Sequence, residues 1–409
     1  MGTLRFPGLR PCEFYLPAPG TDLTKWAVVA CDQFTSQPDY WARVERTVGE
    51  APSALRLILP EVYLKEGRPA APIAAAMERC LADGTLVPAV KDGFILTERT
   101  TASGTRLGLM AAVDLECYDY TSGGLLIRAT EETVPERLPP RVRIRRAAPL
   151  ELSHVLLLLD DPAHSVIEPL YALRGEALYD LELMEGGGHL RGWAVTDGRA
   201  LRQLSDALCT LERAAGGFLY AVGDGNHSLA TAKLFWEELK QTLSPADRAV
   251  HPARWALVEL ENLRDEAIRF RPIHRLVCGA ALSELTDAFR AWCAGQQIAL
   301  RPGPALRFVS AEGETGFSPD SDRLPVQLIQ EFLDGWLDGH PQAELDYIHG
   351  EAALRALSAA PRRVGILLPE IEKASLFPGI RAGGCLPRKA FSMGEAEEKR
   401  YYMECRKIR

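Results

Sequence analysis

Residues Gly216–Lys233 read GGFLYAVGDGNHSLATAK, and this stretch decides the architecture. The apolar run Phe218–Val222 has the length and content of a buried strand. It runs into Gly223-Asp224-Gly225-Asn226-His227-Ser228, after which Leu229–Lys240 reads as a helix. Two glycines let the backbone bend tightly there. The helix start adds free amide donors and a partial positive charge, the physical requirements for holding phosphate. The loop residues Gly223, Gly225, Asn226 and Ser228 are therefore phosphate-binding candidates. His227 is placed to donate to an oxygen of a transferring group. Asp224 suits Mg2+, a hard ion that prefers carboxylate and phosphate oxygens. The competing reading is structural: Asn226 or Ser228 caps the helix and the glycines make a turn.

A chain of 409 residues has room for two or three domains. Its 47% hydrophobic and 25% charged content predicts folded structure nearly throughout. A formal net charge of −8 argues against broad nucleic-acid binding. Apolar runs such as Val155–Leu159 are too short to span a bilayer, and the N-terminus lacks the apolar core of a signal peptide. Nine cysteines without a C-x-x-C pair read as reduced thiols and give no zinc signature. These features predict a cytoplasmic protein acting on a small molecule, with no nucleic-acid or membrane partner. The apolar C-terminal helices permit a homodimer.

Strands alternating with helices predict an α+β, mixed α/β fold. Three regions are expected: 1–150, an N-terminal α/β region; 151–300, the core with the loop; and 301–409, a C-terminal α/β region. The first is read with strands at Trp26–Cys31, Leu55–Pro60 and Gly93–Thr97 and a helix over Ala71–Leu86. The proline-containing stretch Tyr118–Arg146 is read as a long ordered loop with strand pieces. Val155–Leu159, Gly192–Val195 and Trp255–Leu260 read as strands. Ala200–Ala215, Thr286–Gly295 and Pro325–Gly339 read as helices. The charged tail from Gly394 reads as a helix, with Lys399-Arg400 on its solvated surface.

Asp32 follows an apolar run and can reach into a cleft, where burial would raise its pKa toward general-base range; Glu61, after Leu59-Pro60, is a second candidate. The alternative is that Asp32 or Ser36 caps a helix over Pro38–Val48. Cys31 is most simply a small buried residue. Arg128 and Arg141 are candidate phosphate ligands, because a guanidinium grips phosphate in two places, and Glu132 is a candidate metal ligand. The same interleaved charges also suit a solvated face. Arg388 and Lys389 sit beside a Ser/Gly turn and are further phosphate candidates. His274 and His349 read as hydrogen-bonded structural histidines.

The segments Trp26–Gln37, Leu59–Leu64, Pro139–Val142, Gly223–Lys233, Pro272–Arg275, Asp346–Gly350, Leu386–Lys389 and Ser392–Ala396 resemble the bacterial and archaeal family called domain of unknown function 1015. Locally, Asp224-Gly225-Asn226-His227 is similar to the Asp-Gly-x-His-Arg loop of the ParB/sulfiredoxin superfamily, which includes free-serine kinases. That resemblance implies a ParB/sulfiredoxin-like nucleotide-binding core with N- and C-terminal elaborations. Ser228 stands where those proteins carry Arg, removing a charged phosphate ligand. Asn226 stands where sulfiredoxin has its catalytic Cys, so sulfinic-acid repair is not supported.

Together these features predict a phosphotransferase acting on a small hydroxyl metabolite, with Mg2+ and with ATP, ADP or pyrophosphate as donor. The resemblance makes L-serine the first acceptor to test. Two alternatives stay open: a phosphatase using the same site, and a nucleotide-binding switch of ParB type without turnover. The charge missing at Ser228 is expected from Arg128, Arg141 or Arg388.

Overall fold

In the computed structural model, residues 4–35, 37–66, 68–120 and 126–409 are described. Contacts divide the chain into two units: Met1–Ala129, Thr133–Arg269 and Gly394–Arg409 form the first, and Thr130–Glu132 with Phe270–Met393 the second. The three consecutive regions read from sequence are not this division. The last residues of the chain pair with strands of the first unit, so sequence order and spatial grouping part company.

The first unit is built on a mixed sheet. Its central run passes from Ile127–Ala129 to Tyr220–Asp224, Leu156–Leu159, Trp255–Asn262, Gly104–Asp114, Leu86–Thr101, Cys12–Pro17 and Cys405–Lys407. The Tyr220–Asp224 strand is parallel to Ile127–Ala129 and antiparallel to Leu156–Leu159, with a bulge between Val222 and Asp224. Strands covered on both faces read as near-continuous apolar runs, and Leu156–Leu159 and Tyr220–Val222 are all buried. The fold is α+β, with helices Pro38–Val48, Ala71–Ala82, Leu138–Ala147, Gly198–Ala215 and Asn226–Lys240 in this unit.

Several local readings change. Trp26–Cys31 and Leu55–Pro60 are not strands: Leu23–Trp26 is a helical turn capped by Asp22, only Val28–Val29 pairs as strand, and Ala54–Leu57 is a 3-10 turn. The apolar residues there are buried for packing, since the Trp26 indole donates to Met403 O at 3.2 Å. Within Tyr118–Arg146, a helix runs from Leu138 to Ala147 with prolines in its first turn, where no amide donor is needed. Gln37 precedes the Pro38–Val48 helix without a side-chain cap bond, so Asp32 is not its cap; Ser36 lies outside the described residues.

The charged tail is not a helix. It consists of the short strands Tyr401–Tyr402 and Cys405–Lys407 after a 3-10 turn at Ala396–Glu398. Its charges are buried as partners of core acids. Arg400 pairs with Glu259 and Glu404, and Arg406 pairs with Glu151 at 2.6 Å. Lys399 and Arg400 are 8% and 3% exposed, which overturns the solvated-surface reading.

The second unit carries an antiparallel sheet in the order Gly313–Asp320, Ala299–Ser310, Arg363–Leu367, Phe270–Cys278, Glu344–His349. Helices Leu282–Gly295 and Pro325–Asp338 bury their apolar faces, and Phe289 contacts Phe308, Phe317 and Phe332.

Candidate functional site

The Tyr220–Asp224 strand ends at Gly225, whose φ of 77° lies in the left-handed region. That geometry favours glycine on dihedral grounds alone. Space adds to the constraint, because a Cβ at Gly225 would lie 3.0 Å from Val155 Cα. The helix Asn226–Lys240 starts directly afterwards without a side-chain cap. Asn226 and Ser228 therefore lie within its first turn. The Ser228 and Leu229 amides return to Gly225 O, so among the described residues the N–H groups of Asn226 and His227 lead the helix free of a protein acceptor. The Asn226 side-chain oxygen is also buried without a hydrogen-bond partner among them.

Around this turn the fold gathers groups distant in sequence. Asp224 pairs with Lys399 at 2.9 Å and accepts the Gly225 N–H at 2.8 Å. His154, 6% exposed, sits with Nε2 3.1 Å from Ser228 Oγ and 3.6 Å from Asp32 Oδ2. Its Nδ1 is 2.7 Å from the Tyr402 hydroxyl, which accepts the Cys31 N–H at 3.2 Å. Burial holds the Tyr402 phenol well above its usual range, so it stays protonated. With its oxygen taking the Cys31 amide, that phenol donates to Nδ1, and the His154 proton resides on Nε2, facing Ser228 and Asp32. A ring nitrogen bearing a proton cannot activate Ser228, so this is not a nucleophile–base pair.

Burial pushes the Asp32 pKa up. The His154 Nε2–H turned toward it, the hydrogen bond from Gln33 and the charge of Lys399 outweigh it, so the carboxyl ends below its ordinary value, opposite to the rise expected from burial alone. Asp32 is thus ionised at neutral pH and available to receive a proton. Burial pushes the Cys31 thiol up to about 12, with Asp32 adding to the shift, so Cys31 is no thiolate nucleophile. Burial, then Arg141 and Arg137, lowers His227 to about 4. Its Nε2 accepts the Val134 N–H at 3.3 Å, which leaves the ring neutral with its proton on Nδ1. His227 can donate a hydrogen bond from there, but it is not a charged acid.

Glu61 and Arg141 form an ion pair, and the Glu61 amide donates to Cys31 O at 2.7 Å. Both reach the site, each engaged with the other. Arg128 lies with its guanidinium 4.5 Å from the centre of the Phe218 ring, beside the start of the strand rather than its loop end. Glu132, Arg388 and Lys389 belong to the second unit and are exposed there. The Glu132 amide donates to Leu386 O at 3.1 Å, and Lys389 Nζ stands 4.9 Å from the Tyr347 ring centre. His274 is buried and accepts the Leu368 N–H at 3.1 Å, as a structural histidine does. Among the described residues, no group of three or more His, Cys, Asp or Glu is placed to hold a metal ion.

Sequence reasoning missed His154 and Lys399. His154 precedes the Val155 run and carries no motif. Lys399 looks like a surface charge until its buried surroundings are known.

A buried strand turning through a left-handed glycine into a helix with free leading amides makes this an α+β protein with a backbone amide cradle. The chain belongs to the family described as protein of unknown function, DUF1015, which it matches over residues 15–336. No curated protein matches it in sequence. Among solved structures, a free serine kinase variant in complex with ADP is 10% identical, with 73% of this chain and 92% of that chain covered and a TM-score of 0.40. A conserved hypothetical protein from Pyrococcus furiosus is 11% identical, with 73% and 95% covered and a TM-score of 0.35. Among the described residues, no helix is long and apolar enough to cross a membrane.

Proposed function

We propose that this protein transfers a phosphoryl group from a nucleotide or pyrophosphate donor to the hydroxyl of a small metabolite. The observation that carries the reading is the pair of unpartnered leading amides at Asn226 and His227, beside Lys399 and the ionised Asp32. Phosphoryl transfer asks a protein mainly for positioning and charge neutralisation. Helix amides, the Nδ1–H of His227 and the Lys399 ammonium supply donors for phosphate oxygens. Lys399 takes the part of the guanidinium absent at Ser228. As the acceptor oxygen forms its bond to phosphorus, the bond from phosphorus to the donor's bridging oxygen breaks, and the hydroxyl proton passes to Asp32.

Mg2+ bound with phosphates needs only one or two protein carboxylates. Asp224 offers one, so the residues fit a metal that arrives with the donor, where it would neutralise phosphate charge. L-serine is the first acceptor to assay, on the resemblance of the loop to that of the free-serine kinases.

Phosphorus NMR with ATP, ADP and pyrophosphate against a panel of hydroxyl acceptors tests the reading. Transfer to an acceptor, lost in Asp32→Asn, is the expected result. Release of inorganic phosphate without acceptor dependence would make the protein a phosphatase. Tight nucleotide binding with no transfer from any donor would make it a switch.

A further inference from the structure

Behind the His154–Ser228 edge of the site, the first unit has a half-open cavity of about 160 Å³. Leu57, Ile58, Met77, Ile144, Leu152 and Leu257 supply apolar walls. His154, Ser228 and Cys31 line the same cavity, so it reaches the residues beside Asp32. Arg145 and Glu151 line it too. Glu151 is held between Arg145 at 2.7 Å and Arg406 at 2.6 Å, which leaves this charged patch with one unbalanced positive charge. The Arg145 Nε–H is buried and has no hydrogen-bond partner among the described residues. A buried donor without an acceptor is costly, and an anionic ligand atom removes that cost.

We propose that the acceptor is a hydroxy acid with an apolar body: its hydroxyl lies at His154 and Ser228, its methylenes lie against the aliphatic walls, and its carboxylate meets Arg145. This rests on the phosphate-transfer reading for the fate of the hydroxyl. It departs from L-serine, whose ammonium would be desolvated against hydrocarbon while the acids of the site are engaged: Glu151 is already shared by two guanidiniums, Glu61 is paired with Arg141, and Asp32 takes the hydroxyl proton.

Calorimetry on the full chain, with and without saturating ADP, tests the assignment using glycolate, 4-hydroxybutyrate, 5-hydroxypentanoate and L-serine as probes. Each buried methylene is worth up to about fourfold in affinity. Affinity is therefore expected to rise along the series, with 5-hydroxypentanoate at least tenfold tighter than L-serine. Arg145→Met should weaken 5-hydroxypentanoate about tenfold and leave 1,5-pentanediol within twofold. Ile144→Trp, which fills the cavity from a half-buried position, should abolish the chain-length trend while ADP still binds. A flat series, an L-serine affinity equal to that of 5-hydroxypentanoate, or an Arg145→Met effect equal for acid and diol would overturn the proposal. Failure of ATP, ADP and pyrophosphate alike to bind the wild-type chain would instead remove the phosphate reading, while the hydroxy-acid preference is still read directly from the titrations without ADP.

Discussion

Replacing Gly225 with Ala puts the strand-to-helix turn under two separate penalties. The left-handed conformation costs a residue with a Cβ about 1–2 kcal/mol. The added carbon would also sit 3.0 Å from Val155 Cα and 3.1 Å from its Cγ2. Val155 cannot retreat freely, because its carbonyl accepts the Glu259 N–H at 2.9 Å and its amide donates to Ser153 Oγ at 3.0 Å. Overpacking of this kind adds about 1–2 kcal/mol. The expected total is ~2–4 kcal/mol, a fall in Tm of roughly 5–10 °C for a domain of this size. Gly225→Asn separates the two terms, since Asn tolerates the left-handed region but keeps the Cβ. It should recover only about 1 kcal/mol of the loss. Differential scanning calorimetry gives the stabilities, and ADP titration reports whether the amides still face the phosphate. Wild-type Tm and ADP affinity in Gly225→Ala would refute the reasoning, and full rescue by Asn would remove Val155 from it.

Lys399→Met leaves Asp224 unpaired in a largely buried setting, and should cost about 2 kcal/mol and weaken ADP at least tenfold, with Lys399→Arg restoring most of the binding; unchanged ADP affinity in calorimetry would remove Lys399 from phosphate binding. Tyr402→Phe removes the donor that sets the His154 tautomer. It should cost about 1 kcal/mol and lower kcat while KM for the donor changes less than twofold, as steady-state kinetics would show. His227 has a folded pKa of about 4 against 6.5 for the free group. The unfolded chain therefore binds the extra proton first, and stability is full above pH 6.5 and falls as pH drops toward 4. Urea denaturation from pH 7 to 4.5 should show a shallower acid loss in His227→Gln, and an unaltered slope would count against the burial argument.

The loop was legible because every rule that shapes it is local. An apolar run, two glycines and a helical period occur in consecutive residues, and the observed strand, left-handed turn and helix follow them closely. Asp32 and Glu61 were legible as acids at the end of apolar runs, although the runs themselves are not the strands they resembled. What could not be read depends on partners far along the chain. Residues 394–409 carry enough charge to suggest a solvated helix, yet Arg400 and Arg406 are matched to Glu259 and Glu151 more than a hundred residues away. Period and composition record a charge but not its counter-charge. The same limit hid His154, which acquires its meaning from Tyr402, Ser228 and Asp32 together.

The return of residues 394–409 to the first unit also sets an order in time. A ribosome releases Asp224 and His154 well before the lysine and phenol that complete their surroundings, and Phe270–Met393 of the second unit is synthesised in between. Until the chain has been made past Tyr402, Asp224 has no ammonium beside it and His154 no phenol to fix its proton. A chain made only as far as Met393 therefore lacks both groups, and the surroundings of Asp224 and His154 are completed only once residues 399–402 have been made.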